Sequence, residues 1–82
     1  MFRVDFSEPA ASRFRKLDRP VRERIASKLR SVAKDPGRHL KRLTGIDSYT
    51  LRIGDWRLIV DVDWEGEVLE VVTLGHRSTI YG

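Results

Sequence analysis

Two alternating runs separated by a two-residue turn constrain this chain most. Tyr49, Leu51 and Ile53 alternate with Thr50 and Arg52; Gly54-Asp55 follows; then Trp56, Leu58, Val60 and Val62 alternate with Arg57, Ile59, Asp61 and Asp63. A period of two sends successive side chains to opposite faces of a strand. A Gly-Asp pair between two such runs is a hairpin signal. The apolar set therefore packs on a core, while Arg52 and Arg57 point the other way from neighbouring strands. After Trp64-Glu65-Gly66-Glu67, which reads as a second turn, Val68 to Leu74 is almost unbroken apolar sequence. Such a run suits a strand in the middle of a sheet.

Upstream, Phe2, Val4 and Phe6 alternate with Arg3 and Asp5, giving one more strand. Ser7 then supplies an N-cap oxygen, Glu8 suits the positive helix end, and Pro9 is tolerated in a first turn. Ala10, Phe14 and Leu17, with Ala11, make an apolar stripe over a short helix spanning 8–17. Asp18-Arg19-Pro20 repeats the start signal, and Val21, Ile25, Leu29 and Val32 form one face of a second helix ending near Lys34. Asp35-Pro36-Gly37 stops it, because the residue before Pro resists the helical region. Residues 38–47 read as basic and irregular, anchored by Leu40 and Leu43. The expected class is α+β with the order β-α-α-β-β-β: an antiparallel-meander sheet, a helical hairpin packed on one face, and the other face open.

Eighty-two residues make a single domain, 1–82, with no room for a second. The absence of cysteine excludes a disulfide framework, a thiol nucleophile and a zinc–thiolate site. No apolar run approaches the roughly 20 residues of a membrane span, and the first residues lack the apolar stretch of a signal peptide. The expectation is a soluble, cytoplasmic domain without a membrane partner.

Charge divides the chain. Residues 1–43 carry 13 Lys and Arg against 5 Asp and Glu, a balance of +8; residues 44–82 carry 3 against 7, a balance of −4. A basic half suits an anionic partner, most often nucleic acid, although a solvated helix face has the same composition. In the acidic half the basic residues are Arg52, Arg57 and Arg77. A guanidinium presents a planar fork of donors matched to phosphate oxygens, so the first two, on one patch, suit a phosphodiester. Strict alternation puts Leu69, Val71 and Thr73 inside and carries Arg77 inward as well, unless the strand kinks at Gly75. The competing reading pairs the arginines with Asp61, Asp63 or Glu70 in cross-strand salt bridges. His76 titrates near neutrality and Tyr81 would acidify beside arginines, so either can move a proton or merely sit on the surface. Asp61 and Asp63 share a strand face and could hold Mg²⁺, yet no third ligand is evident.

The element order, the hairpin Tyr49-Thr-Leu-Arg-Ile-Gly-Asp-Trp-Arg-Leu-Ile-Val and the ending Leu74-Gly-His-Arg-Ser-Thr-Ile-Tyr81 resemble the RelE/ParE toxin superfamily of bacterial and archaeal toxin–antitoxin pairs. The similarity spans essentially the whole chain. It implies a metal-independent endoribonuclease without cofactor that enters the ribosomal A site and cuts mRNA by attack of the 2′-hydroxyl on the adjacent phosphate. Arg52 matches a basic substrate-holding position, with Thr50 beside it where some relatives carry a lysine. Arg57 matches the arginine stabilising the transition state, Arg77 the one assisting the leaving 5′-oxygen, and Tyr81 the tyrosine that stacks on or activates the nucleotide. His76 has no fixed family role and is included among the catalytic candidates. Lys28, Arg38, Lys41 and Arg42 would hold ribosomal RNA, a largely sequence-blind phosphate interaction. The resemblance also implies a RelB-like antitoxin and a toxin–antitoxin heterotetramer. Two other outcomes share the scaffold: a ParE-like toxin that inhibits DNA gyrase without cutting nucleic acid, and a catalytically weakened homologue that only binds its antitoxin.

Overall fold

In the computed structural model, residues 1–43 and 48–79 are described. The elements run β1 (Arg3–Phe6), α1 (Glu8–Arg15), α2 (Arg19–Lys34), α3 (Pro36–His39), β2 (Lys41–Arg42), β3 (Ser48–Ile53), β4 (Trp56–Asp63) and β5 (Val68–His76). The class is the expected α+β, but the sheet is not a pure meander: its order is β1-β5-β4-β3-β2, and β1 lies parallel to β5. The strands β2, β3, β4 and β5 follow one another antiparallel as a meander. The segment expected to be irregular contributes α3 and the two-residue edge strand β2, paired with Tyr49 and Thr50.

Hydrophobic burial is confined to one side of the sheet. Ile25, Leu29 and Val32 of α2 meet Leu51, Leu58, Val60, Leu69, Val71 and Leu74, all at or near zero exposure. These are the residues that alternation assigns inward, with the exception created by a bulge. Ile59 pairs with Thr73 and Val60 with Val71, so Val72 has no partner on β4. The extra residue reverses the parity of the rest of the strand. Leu74 and His76 therefore fall on the core side, and Gly75 faces outward opposite Arg57. The reversal expected at Gly75 thus occurs three residues earlier.

Ser7 explains why the bulge is stable there. Its hydroxyl donates to the Val72 carbonyl (2.6 Å), accepts from the Ala10 N–H (3.2 Å) as the α1 N-cap, and its own N–H donates to the Val71 carbonyl (3.0 Å). One short polar side chain satisfies both a helix start and a carbonyl released from the ladder. Beyond the end of β1, Arg13 of α1 continues this edge, its Nη1 donating to Thr73 Oγ1 (2.7 Å) and to the Leu74 carbonyl (3.2 Å). At the β3–β4 turn Gly54 takes φ +59°, a left-handed conformation that glycine adopts without penalty. The longest described helix has 16 residues and none is long and apolar enough to cross a membrane.

Candidate functional site

The outward face follows from the strand register. Because Leu51, Ile53 and Leu58 are buried, Arg52 and Arg57 project from the opposite side, and they are direct cross-strand partners. Gly75 is next in the same row, opposite Arg57, and its missing side chain leaves the floor beside the guanidinium uncovered. Like charges placed directly opposite each other destabilise a sheet. Here no carboxylate offsets them: among the described residues neither Arg52 nor Arg57 has an ion-pair partner. Arg57 instead curls towards the turn, its Nη1 donating to the carbonyls of Gly54 (2.8 Å) and Trp56 (2.9 Å). The cross-strand salt bridges considered from sequence are absent for this pair. Asp61 accepts from the Ser48 hydroxyl (2.6 Å) and Asp63 from the Gly66 N–H (2.9 Å), so both acids are occupied elsewhere.

Arg77 reaches the same turn from β5. Its backbone N–H donates to the Asp55 carbonyl (2.8 Å), and its Nε lies 3.6 Å from Asp55 Oδ1. Both side chains are about two-thirds exposed, 65% and 67%, so this ion pair is held loosely and contributes little stability. Gly54-Asp55 is therefore the point on which Arg57 and Arg77 converge, with Arg52 directly across from Arg57. That convergence needed tertiary structure to be seen.

His76 is not on this face. It is paired with Trp56, its ring packs edge-on against the indole at 5.5 Å, and it borders a hollow with Arg13, Lys16 and Leu17 on the helix side. The Ser78 N–H donates to Nδ1 (3.3 Å) and the Ser78 hydroxyl lies 2.9 Å from it, an arrangement that assigns the proton to Nε2. Tyr81 lies outside the described residues. Thr50 stands one row from Arg52 on the open face, between Lys41 of β2 and Ile59. Arg42 has the opposite parity, Arg38 is exposed on α3, and Lys28 projects from α2 towards the β3 edge. Among the described residues no cluster of three or more His, Asp or Glu has the arrangement of a metal site, so the Asp61/Asp63 cation reading has no third ligand there.

Sequence reasoning missed two residues. Asp55, read as a turn former, is the partner of Arg77. Arg24 of α2 reaches Gly54 so closely that a Cβ at that position would lie 2.6 Å from its Nη2. The only signal for Arg24 was its i,i+4 spacing from Lys28 along the flank of the Val21, Ile25 and Leu29 stripe.

With this geometry in place, comparison with known proteins is decisive. A family profile described as "ParE toxin of type II toxin-antitoxin system, parDE" matches residues 4–81. The mRNA interferase toxin RelE of Escherichia coli is 36% identical over 83 residues, covering 95% of this chain and 87% of the relative. The chain belongs to the RelE/ParE family of type II toxins. The structural likeness to this family is equally broad: the isolated E. coli RelE toxin superposes with a TM-score of 0.81 at 32% identity, covering 99% of this chain and 92% of that one. The toxin in the intact E. coli RelBE toxin–antitoxin complex gives 0.78 at 33% identity, covering 93% and 96%. As in any large family, the shared RelE/ParE scaffold fixes the fold, while activity is argued from the site.

Proposed function

We propose that this toxin is a ribosome-dependent endoribonuclease that cleaves mRNA, and that Arg52, Arg57 and Arg77 form its phosphate-handling site. The observation that carries the reading is the uncompensated Arg52–Arg57 pair with Arg77 at the same turn. Two cations set against each other at a cost to the sheet gain a purpose when an anion lies between them. The E. coli relative's name as an mRNA interferase points to the same substrate.

The reaction divides into one displacement and two proton transfers. The ribose 2′-oxygen bonds to the adjacent phosphorus as the bond to the 5′-oxygen breaks, leaving a 2′,3′-cyclic phosphate and a 5′-hydroxyl. A proton leaves the 2′-oxygen and one arrives on the 5′-oxygen. Arg57, oriented by the two carbonyls it binds, meets the charge that builds on the non-bridging oxygens, an electrostatic effect that needs no metal ion. Arg52 holds the phosphodiester from across the strand pair, with Thr50 beside it, and Arg77 exchanges its loose contact with Asp55 for the leaving oxygen. Tyr81 supplies the proton chemistry or stacking. His76, packed on Trp56 across the sheet, supports the strand end that carries Arg77.

Arg38, Lys41 and Arg42 then face ribosomal RNA in the A site, Lys28 faces RNA from the α2 side, and a RelB-like antitoxin assembles with the toxin as a heterotetramer in the cytoplasm. The E. coli relative's structure in complex with its antitoxin supports that partner. The family profile's ParE description favours a second reading, inhibition of DNA gyrase without cleavage. A purified translation system with a defined mRNA separates the two. Cleavage that appears only with ribosomes present supports the nuclease. Intact mRNA together with blocked supercoiling by purified gyrase would replace it with the ParE mode.

A further inference from the structure

A groove of about 690 Å³ runs between α2 and the end of β3. β2 pairs only with Tyr49 and Thr50, so among the described residues the β3 edge from Leu51 to Ile53 carries no strand on this side. The groove is lined from the helix by Arg24 and Lys28, with Ser27 and Ser31 beside them, and from the sheet by Arg52 and Gly54. Among the described residues, Arg24, Lys28 and Arg52 have no ion-pair or hydrogen-bond partner. One carboxylate, Glu23, also lines the groove and is paired with Arg19 at 3.0 Å in an exposed i,i+4 contact.

Three arginines outside the groove are used internally. Arg3 pairs with Asp5, Arg13 binds the β5 edge, and Arg22 binds the Leu17 carbonyl. The groove is thus a place where positive charge collects without a structural task. Arg24 and Lys28 are also like charges at i,i+4, a destabilising arrangement in a helix. Gly54 adds a geometric observation, since its lack of a side chain is what lets the Arg24 guanidinium lie against the hairpin turn. Through that turn the groove is continuous with Arg57 and Arg77, and Arg52 borders both.

We propose that the α2–β3 groove is a second phosphate-binding site, in which Arg24 and Lys28, with Arg52, hold an RNA phosphodiester flanking the one presented to Arg57. This rests on the RNA reading of the open face and extends it around the sheet edge. The serine hydroxyls can donate to the same oxygens, and donors on both α2 and β3 position a strand better than a basic patch on one element. The RNA then bends over β3, which fixes the direction in which the substrate crosses the arginine row.

The test uses binding, independent of cleavage. A fluorescent single-stranded 2′-O-methyl RNA has no attacking hydroxyl and stays intact. Its affinity for the toxin is measured by anisotropy across a salt series, for wild type, Arg24→Gln/Lys28→Gln and the charge-matched control Arg30→Gln/Lys34→Gln, both of whose positions lie outside the groove, with circular dichroism to verify folding. The groove variant is expected to bind ~10-fold more weakly, with a log–log salt slope shallower by about 0.7 for each phosphate it no longer neutralises. The control is expected to stay within about twofold of wild type with an unchanged slope, because Arg30 and Lys34 lie outside the groove and neutralise no phosphate. An unchanged slope in the groove variant, or an equal loss in the control, overturns the proposal. Binding of an acidic peptide in the groove without RNA binding would overturn it too. Groove-dependent RNA binding without ribosomal cleavage would retire the nuclease reading and leave the groove standing; cleavage with a groove-independent slope would do the reverse.

Discussion

The two ends of the open sheet face use charge in opposite ways. Around the β4–β5 turn, Asp5, Glu70 and Asp61 lie in one row across β1, β5 and β4, with Asp63 just beyond. There Asp5 is paired with Arg3 at 3.1 Å, Asp61 is bound by Ser48, and Asp63 accepts the Gly66 N–H. Around the β3–β4 turn, Arg52 and Arg57 oppose each other without a carboxylate, and Arg77 is held only at 3.6 Å. Three of the four acids are committed to the fold, Glu70 having no side-chain partner among the described residues, whereas at the basic end no carboxylate faces Arg52 or Arg57 and Arg77 is held loosely. Charge satisfied inside the chain is structural, and charge left unsatisfied at some cost to stability marks the surface that meets a partner. An adjoining row of carboxylates also repels a polyanion, so on the proposed reading RNA is confined to the arginine end.

Substitutions can break this comparison or sharpen it. The largest effect is expected where both ends share support. Leu58 is fully buried beneath the row that carries Arg57, so Leu58→Ala should cost about 2–5 kcal/mol, read from a urea midpoint, and impair both ends together. A loss below about 1 kcal/mol would mean that the core does not carry the face as described. Next comes Arg52→Ala, expected to weaken RNA binding by roughly tenfold with a shallower salt slope. Because it relieves a like-charge pair, its melting temperature should stay level or rise. A fall in both binding and melting temperature would make Arg52 structural. The smallest effect is expected at the acidic end: Asp63→Ala should cost about 0.5–1.5 kcal/mol for its hydrogen bond, with RNA affinity unchanged or slightly raised. Weakened RNA binding there would erase the distinction between the two ends.

The sequence made the hairpin legible because its information is local. Alternation from Tyr49 to Val62 is uninterrupted, so parity alone placed Arg52 and Arg57 on one face and Leu51 and Leu58 in the core. Alternation fails where another element intervenes. The Val72 bulge is fixed by Ser7, 65 positions away in sequence, and no pattern within β5 announces it. For that reason the sequence placed the reversal at Gly75 and left the side of Arg77 open. The parallel pairing of β1 with β5 is likewise long-range, since Phe2 to Phe6 reads the same for any neighbour. Residues 38–47 were read as irregular, and Asp35-Pro36-Gly37 only as a helix stop, because four helical residues and a two-residue strand are too short to show a period. Arg24 and Asp55 were missed for the same reason: each acts through contact with a distant segment, and neither belongs to a motif.

The central claim is that the Arg57 guanidinium acts on the scissile phosphate. Primer extension on a defined mRNA in a purified translation system, comparing wild type with Arg57→Ala, tests it most directly. Ribosome-dependent cleavage is expected to fall by about 10²–10³-fold, as for loss of a principal transition-state donor, while folding and ribosome binding stay intact. Cleavage at the wild-type rate by a folded Arg57→Ala protein would contradict the account and reduce the arginine row to a binding surface.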